Sequence, residues 1–309
     1  MKSEPGRAPA GALDLTLSSQ KADPKRFVDA FEESVVRHGC AFITDHHVEP
    51  ALVAGALSRL TELTRESSAQ TARFALPAGR DTPAQGYEPS HRGELWQTSR
   101  KALAGYRSPG MRPDVSKGFR DTVSQLFSEL DRCGARMLAA IARFLWLQGD
   151  WFDEPIRESE SVLQLLSLAG GSIEGSALTD GEDPDLISLI LTDGELDLEF
   201  RHRWHEERWQ RATLTNRHIL VMSGTMLQRM TNDILKPPIY RFAPDQLTAN
   251  PPRRLVRFSI PFRDDYAIRS IAECVDSEKY PDRYPEPITS RDFRQMERSQ
   301  RRRRQPASA

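Results

Sequence analysis

Apolar residues in the first part of the chain recur at helical spacing. Asp23 and Pro24 form a typical helix start, Gly39 is a typical helix stop, and an apolar residue occupies every fourth position between them. These apolar residues are Phe27, Phe31 and Val35. The spacing predicts an amphipathic helix between the two ends. Apolar positions in 114–148 keep three- and four-residue intervals and predict a long helix or a pair of helices.

Between these helical segments the pattern changes twice. Residues 40–43 (CAFI) form a short apolar run that predicts a buried strand, and residues 50–65 predict a second helix. Residues 68–113 hold many glycines, prolines and arginines without steady periodicity. We expect this interval to be a long irregular segment that shapes the mouth of a binding site.

After Gly149 the chain consists of short apolar runs separated by glycine, aspartate and proline. The runs that predict strands are 162–168, 186–192, 196–200, 218–222 and 255–262. Helices followed by many short strands indicate the α+β class, with a strand-rich sandwich or barrel carrying the site. The tail from Asp264 has few apolar residues and ends in four arginines at 301–304, so we expect a solvated or disordered C-terminus.

The amino-acid composition limits the kinds of binding partner and the cellular compartment that we expect for this protein. Among 309 residues, 43 Lys and Arg stand against 44 Asp and Glu, so no global charge favours nucleic acid or an anionic membrane as a partner. Three widely separated cysteines argue against a disulfide framework and a cysteine-based zinc site. We find no apolar signal segment and no run of about 18 apolar residues. These features predict a cytoplasmic protein that binds a small molecule.

Three segments carry a similarity to a known family. They are RHGCAFITDHHVEPALV at 37–53, GTMLQRMTNDILKPPIYRF at 224–242 and RFSIPF at 257–262. They resemble, in that order, the segments RHGFFYLTNHGV, GDMLQRMTNGRFRSTPHRV and RYSIPFF of isopenicillin N synthase-like members of the Fe(II) and 2-oxoglutarate-dependent oxygenase superfamily. The second alignment has no gap, and the resemblance extends over residues 14–295.

The resemblance implies a double-stranded β-helix, or jelly roll, with N-terminal and backing helices outside it. Accordingly, we expect a flexible N-terminus at 1–12, a helical region with the first strands at 13–150, a jelly-roll core at 151–265 and a C-terminal extension at 266–309. In the family, a His-x-Asp pair and a distal His hold Fe(II) on one face and leave positions for an oxo acid and dioxygen. The resemblance also implies a monomer that serves specialised metabolism.

Two of the three metal-binding positions depart from the family pattern. SALTDGEDPDLISLIL at 176–191 falls on the family's GEHTDYGLLTLL, so Leu178 replaces the first histidine and Asp180 keeps the carboxylate. Tyr240 replaces the distal histidine. Leucine cannot bind a metal, and a neutral phenol is a weak ligand for Fe(II). We therefore expect a degenerate metal site, no cofactor, and no ordinary Fe(II) dioxygenase activity.

The family residues that bind a carboxylate are retained. Arg257 and Ser259 lie two positions apart on a predicted strand, so their side chains point to one face and can grip one carboxylate together. Asn232 matches a residue that shapes the family's pocket wall. These three residues are predicted to bind a carboxylate of the substrate or co-substrate. The structural alternatives are a salt bridge from Arg257 to a nearby acid and a strand-end hydrogen bond from Asn232.

The residues leave three functions open. In the first, Asp180 and Tyr240 act as acid and base across the former iron position, in a non-oxidative isomerase, lyase or cyclase that binds a carboxylate-bearing metabolite. The second is a non-catalytic pseudoenzyme. The third is an active oxygenase that uses Fe(II) and 2-oxoglutarate through unusual ligands, for which His202, His205 and His218 are the histidines between those two positions.

Overall fold

The structure, a computed structural model, describes residues 14–16, 19–65, 75, 85–90, 93–105, 113–168, 183–201, 209–243 and 253–304. Its helices are α1 (Ser19–Ala22), α2 (Pro24–His38), α3 (Pro50–Thr64), α4 (Arg100–Gly105), α5 (Pro113–Phe144), α6 (Asp153–Ile156), α7 (Thr225–Met230) and α8 (Ser290–Arg304). Its strands are β1 (Asp14–Thr16), β2 (Cys40–Thr44), β3 (Gly86–Ser90), β4 (Gly93–Ser99), β5 (Val162–Leu168), β6 (Ile187–Thr192), β7 (Glu195–Arg201), β8 (Trp209–Thr215), β9 (Ile219–Ser223), β10 (Ile239–Phe242), β11 (Arg253–Ile260), β12 (Ala267–Ile268) and β13 (Ile288–Thr289).

Eleven of the described strands form two packed sheets that enclose an apolar interior, and β12 pairs with β13 in a separate two-stranded sheet. The larger sheet has eight strands in the order β1-β2-β9-β6-β11-β5-β4-β3, and the smaller has three in the order β10-β7-β8. One buried cluster joins side chains of both sheets, including Ile190 and Leu220 from the larger and Leu198 and Phe200 from the smaller. Strands that alternate between two inward faces in this way build a jelly roll. The predicted α+β class and jelly-roll core are confirmed.

Helices cover the outer face of the larger sheet. The ring of Phe127 on α5 meets that of Phe258 on β11 edge to face, with ring centroids 4.9 Å apart. Further along α5, Gly134 lets the helix approach the sheet closely, because a Cβ at this position would lie 2.1 Å from Cδ1 of Ile260. The interval predicted to be one long helix or two contains the single helix α5. Apolar side chains of α5 and β11 belong to a second buried cluster, which lies between the helices and the larger sheet.

The ends of α2 confirm the predicted start and stop signals. Asp23 accepts a hydrogen bond from the backbone N–H of Arg26 at 3.1 Å, which satisfies one of the free donors at the helix start. Gly39 ends the helix with φ +71°, a left-handed conformation that glycine adopts without strain. A Cβ at Gly39 would also lie 2.4 Å from the carbonyl oxygen of Lys236, so a side chain is excluded there.

The structure differs from the sequence-based expectation at several points, among them three that bear on the sheets and the C-terminal segment. The interval expected to be irregular contains β3, β4 and α4, and β4 extends the larger sheet beside β5. Strand β8 was not predicted, because charged and polar residues interrupt its apolar positions. The C-terminal segment expected to be solvated or disordered forms α8 as far as Arg304. Within the described ranges, no helix has the length and apolar character needed to cross a membrane.

Candidate carboxylate-binding site

Strand β11 carries the predicted carboxylate-binding pair on its inward face. Side chains along β11 alternate, with Val256, Phe258 and Ile260 packed in the core under the helices. Leu255 belongs to the other cluster, between the two sheets. Because strand side chains alternate with a period of two, Arg257 and Ser259 share the face of Leu255 and point into the jelly roll.

A carboxylate of the chain itself is bound to this pair. Oδ2 of Asp183 accepts a hydrogen bond from Nη2 of Arg257 at 2.5 Å and another from Oγ of Ser259 at 3.2 Å. Oγ of Ser188 on the neighbouring strand lies 3.1 Å from Oγ of Ser259. The side chains of Asp183 and Arg257 are 4% and 13% exposed, so this ion pair is largely desolvated. Arg257 is therefore in a salt bridge with a nearby acid, the structural alternative considered for it.

The backbone before β6 places Asp183 at this position. The N–H of Thr225 donates to the carbonyl oxygen of Asp183 at 2.7 Å, and the N–H of Asp185 donates to Oδ1 of Asp183 at 3.2 Å. Gly224 makes this approach possible, since a Cβ there would lie 2.0 Å from the carbonyl oxygen of Asp185. The start of α7 and the segment before β6 thus hold the Asp183 carboxylate against Arg257.

Charges around the pair keep Arg257 protonated. Burial alone lowers the pKa of Arg257, but Asp183, Tyr240 and Asp185 together raise it above its ordinary value. Burial and the neighbouring charge of Asp183 raise the pKa of Asp185 to about 7, while Arg294 and Arg257 oppose this rise. The site therefore contains the buried carboxyl groups of Asp183 and Asp185 and the guanidinium of Arg257, which faces the interior of the jelly roll.

Three buried polar atoms of residues at the site have no hydrogen-bond partner among the described residues. They are Nε of Arg257, Oδ1 of Asp185 and Oγ1 of Thr225. A buried polar atom without a partner costs free energy, so such atoms often mark a place that a ligand or water completes. Asp183 contacts Nη2 of Arg257, and the adjacent Nε is left with hydrogen-bonding capacity for a further acceptor.

Tyr240 lies in the same interior as Arg257. It belongs to the cluster between the two sheets, is 9% exposed, and stacks on Phe200 with ring centroids 6.0 Å apart. A phenolate at Tyr240 would raise the pKa of Arg257, which places the two side chains within electrostatic range of each other. Leu178 and Asp180, the other two predicted metal positions, lie outside the described residues. Whether Asp180 faces Tyr240 remains a prediction.

The side chain of Asn232 makes its described hydrogen bonds to the C-terminal segment. Nδ2 donates to the carbonyl oxygen of Cys274 at 3.2 Å, and Oδ1 accepts from the N–H of Arg283 at 3.0 Å. Asn232 also adopts φ +50°, a conformation that asparagine tolerates better than most residues. These hydrogen bonds give Asn232 a structural role, because they connect it to the C-terminal segment. They do not support its predicted contact with a ligand carboxylate, which stays a prediction.

The alternative histidine ligands divide between described and undescribed parts of the chain. His218 is buried, its Nδ1 lies 2.8 Å from Oγ1 of Thr215, and its ring meets Phe42 edge to face. His202 and His205 lie outside the described residues. Within the described ranges, no group of three or more His, Cys, Asp or Glu side chains could hold a metal ion.

Asp183 was not among the residues predicted from the sequence, although a signal for it exists. If LISL at 186–189 is aligned with the family's LLTL without a gap, the family's carboxylate falls on Asp183 and its histidine on Gly181. The alignment that led to Leu178 and Asp180 instead requires a gap before the strand. The ungapped alternative draws attention to the acid that the structure places on Arg257.

Comparisons with known proteins find the same fold. No family model and no curated protein sequence matches the chain. A crystal structure from Caulobacter crescentus assigned to the 2OG-Fe(II) oxygenase family has 27% identity and a TM-score of 0.80, over 95% of this chain and 99% of that one. A Neurospora crassa protein in complex with alpha-KG and thymine has 16% identity and a TM-score of 0.79, over 95% and 99%. JOX2 in complex with 2OG, Fe and JA has 17% identity and a TM-score of 0.73, over 96% and 88%.

These structures contradict the prediction that no cofactor is expected. Proteins of the same fold bind 2-oxoglutarate, and JOX2 binds both 2OG and Fe. The prediction relied on the loss of two imidazoles at positions fixed by alignment alone, and it gave too little weight to the fold as a whole. At 16% and 17% identity, the Neurospora protein and JOX2 establish the fold that this chain shares with them.

Proposed function

Because the chain belongs to the 2OG-Fe(II) oxygenase superfamily, we propose that it binds a small carboxylate-bearing molecule inside the jelly roll, through Arg257 and Ser259. One observation carries the proposal: this pair holds a carboxylate in the structure, that of Asp183, at 2.5 and 3.2 Å. A guanidinium and a hydroxyl on one inward face suit a carboxylate better than a neutral group, since hydrogen bonds between ionised partners are about twice as strong as neutral ones.

The dicarboxylate 2-oxoglutarate is the first candidate for this molecule. The Neurospora protein and JOX2 bind it within the same fold, and Arg257 and Ser259 have the chemistry that one of its carboxylates requires. The described residues do not by themselves fit Fe(II), because they contain no group of three candidate ligands. Iron binding would therefore need residues from outside the described ranges, such as His202, His205 or Asp180. When bound, Fe(II) and 2-oxoglutarate would supply oxidative chemistry.

A second candidate function is a non-oxidative isomerase, lyase or cyclase reaction in which Tyr240 transfers a proton. Its support is that Tyr240 is buried between the two sheets, in the cluster that also contains Leu255, whose face of β11 Arg257 shares. A substrate whose carboxylate is bound at Arg257 would lie in the same interior as this phenol. Tyr240 would then hold or release a proton at its hydroxyl oxygen, and Asp180 is the partner that the sequence suggests.

Calorimetric titration tests carboxylate binding. We expect 2-oxoglutarate and succinate to bind the wild-type chain, and Arg257→Lys to weaken both by at least about tenfold, because lysine keeps the charge but lacks the planar fork. Arg257→Ala should abolish binding. Arg254→Ala is the matched control, since Arg254 lies on the same strand but pairs with Asp193. Binding to the Arg257 variants that equals binding to the wild-type chain would overturn the proposal.

Anaerobic Fe(II) titration, with and without 2-oxoglutarate, separates the two candidate functions. Stoichiometric iron that tightens 2-oxoglutarate binding supports an oxygenase whose metal ligands lie outside the described residues. Carboxylate binding without iron, combined with turnover that Tyr240→Phe removes, supports the non-oxidative candidate. Binding without any turnover identifies a pseudoenzyme.

A further inference from the structure

The carboxylate position at Arg257 and Ser259 is occupied by the chain itself. Oδ2 of Asp183 takes hydrogen bonds from both residues. The contact to Arg257 uses Nη2, whereas the buried Nε has no partner among the described residues. A free carboxylate that engages both Nε and Nη2 would form the two parallel hydrogen bonds that a guanidinium makes in its strongest pairs. The internal carboxylate thus uses less of Arg257 than an external one would.

The backbone around Asp183 holds this internal carboxylate close to the position. The N–H of Thr225 donates a hydrogen bond to the carbonyl oxygen of Asp183, with 2.7 Å between nitrogen and oxygen. The backbone of Gly224 also lies close to the carbonyl oxygen of Asp185. An attached group has a high effective concentration, in the millimolar range for short flexible linkers. Because the Thr225 hydrogen bond holds the backbone at the carbonyl of Asp183, rotation of the Asp183 side chain would open the position at the loss of the hydrogen bond from the N–H of Asp185 to Oδ1.

We infer that Asp183 is an internal competitor that occupies the carboxylate position and sets the affinity for external carboxylates. This inference rests on the proposed function, since it concerns the ligand of the same site. A ligand binds only to the fraction of molecules in which Asp183 has turned away. The apparent dissociation constant is the intrinsic constant divided by that fraction, so a position open in roughly one molecule in ten or fewer weakens binding by about tenfold or more.

Removal of the Asp183 charge tests the inference. Asp183→Asn keeps an oxygen that can accept the N–H of Asp185, which preserves the local turn, and Asp183→Ala removes the competing group altogether. We expect both variants to bind 2-oxoglutarate and succinate at least about tenfold more tightly than the wild-type chain, as measured by calorimetry of the full chain with a chelator present. The matched control is Asp193→Asn, which removes the acid of the Asp193–Arg254 pair and should leave the affinity unchanged.

Each outcome of this titration decides the inference. Tighter binding by the Asp183 variants alone supports it. Equal affinities of the wild-type chain and the variants would overturn the inference and leave the proposed function standing. Weaker binding by the variants would also overturn the inference, because it would show that Asp183 helps to bind the ligand. If neither the wild-type chain nor Asp183→Asn binds any carboxylate, both the inference and the proposed function fail. Should Asp183→Ala not fold, Asp183→Asn carries the test.

Discussion

Replacement of Arg257 by alanine should destabilise the folded chain strongly. Asp183 is 4% exposed in its side chain and Arg257 is 13% exposed, so loss of the guanidinium removes the cation from a buried carboxylate and leaves the Ser259 hydroxyl as a neutral donor to Oδ2. Removal of one partner of a buried ion pair typically costs about 3–5 kcal/mol. Since the free energy of unfolding of a whole domain is about 5–15 kcal/mol, this single change should remove a large part of it.

Urea unfolding followed by circular dichroism measures the effect. Arg254→Ala provides the reference, because Arg254 and Asp193 are 30% and 11% exposed and form a more solvated pair on the same strand, worth about 1 kcal/mol or less. The combination of Arg257→Met with Asp183→Asn should recover most of the loss, since neither charge is then buried alone. If Arg257→Ala costs no more than Arg254→Ala, or if the double variant is no more stable than Arg257→Ala, Asp183 and Arg257 do not form the buried pair described above.

Three further changes test the fold and the site. Gly134→Ala should destabilise the chain by about 1 kcal/mol in urea unfolding, because the overlap of its Cβ with Cδ1 of buried Ile260 outweighs the gain of roughly 1 kcal/mol that alanine has over glycine in a helix, and Ile260→Val should restore part of the loss. Burial lowers the pKa of His46 to about 4, below its unfolded value of about 6.5, so His46 destabilises the fold as pH falls between these values. His46→Asn should reduce the pH dependence of unfolding there, and an unchanged slope would contradict the lowered pKa. Tyr240→Phe should retain the stacking on Phe200 and cost about 1 kcal/mol or less in thermal unfolding, and a larger loss would assign the hydroxyl a structural role.

Much of the fold was predictable because local signals and tertiary packing agree. The cap at Asp23, the left-handed Gly39 and the apolar strand that follows all serve the same packing of α2 against the larger sheet. The alternation along β11 likewise places Arg257 and Ser259 on one face from the order of residues alone. Strand β8 escaped prediction because its pairing with β7, rather than its own apolar pattern, makes it a strand.

The site was less predictable, because it depends on contacts between residues distant in the sequence. Asp183 and Arg257 are separated by 74 positions, and nothing local to either residue indicates that they meet. The contact arises from the sheet register, in which β6 lies directly beside β11 and Ser188 faces Ser259. The contacts of Asn232 were not predicted for the same reason. The sequence motif around Asn232 does not indicate that its side chain forms hydrogen bonds with Cys274 and Arg283 in the C-terminal segment.

The most direct test of carboxylate binding at Arg257 and Ser259 is a crystal structure of the full chain with 2-oxoglutarate. We expect one carboxylate of the ligand to lie on both nitrogens of the Arg257 fork and on Oγ of Ser259, with the Asp183 side chain rotated away. A ligand bound elsewhere, with Asp183 still on Arg257, would contradict the proposed site.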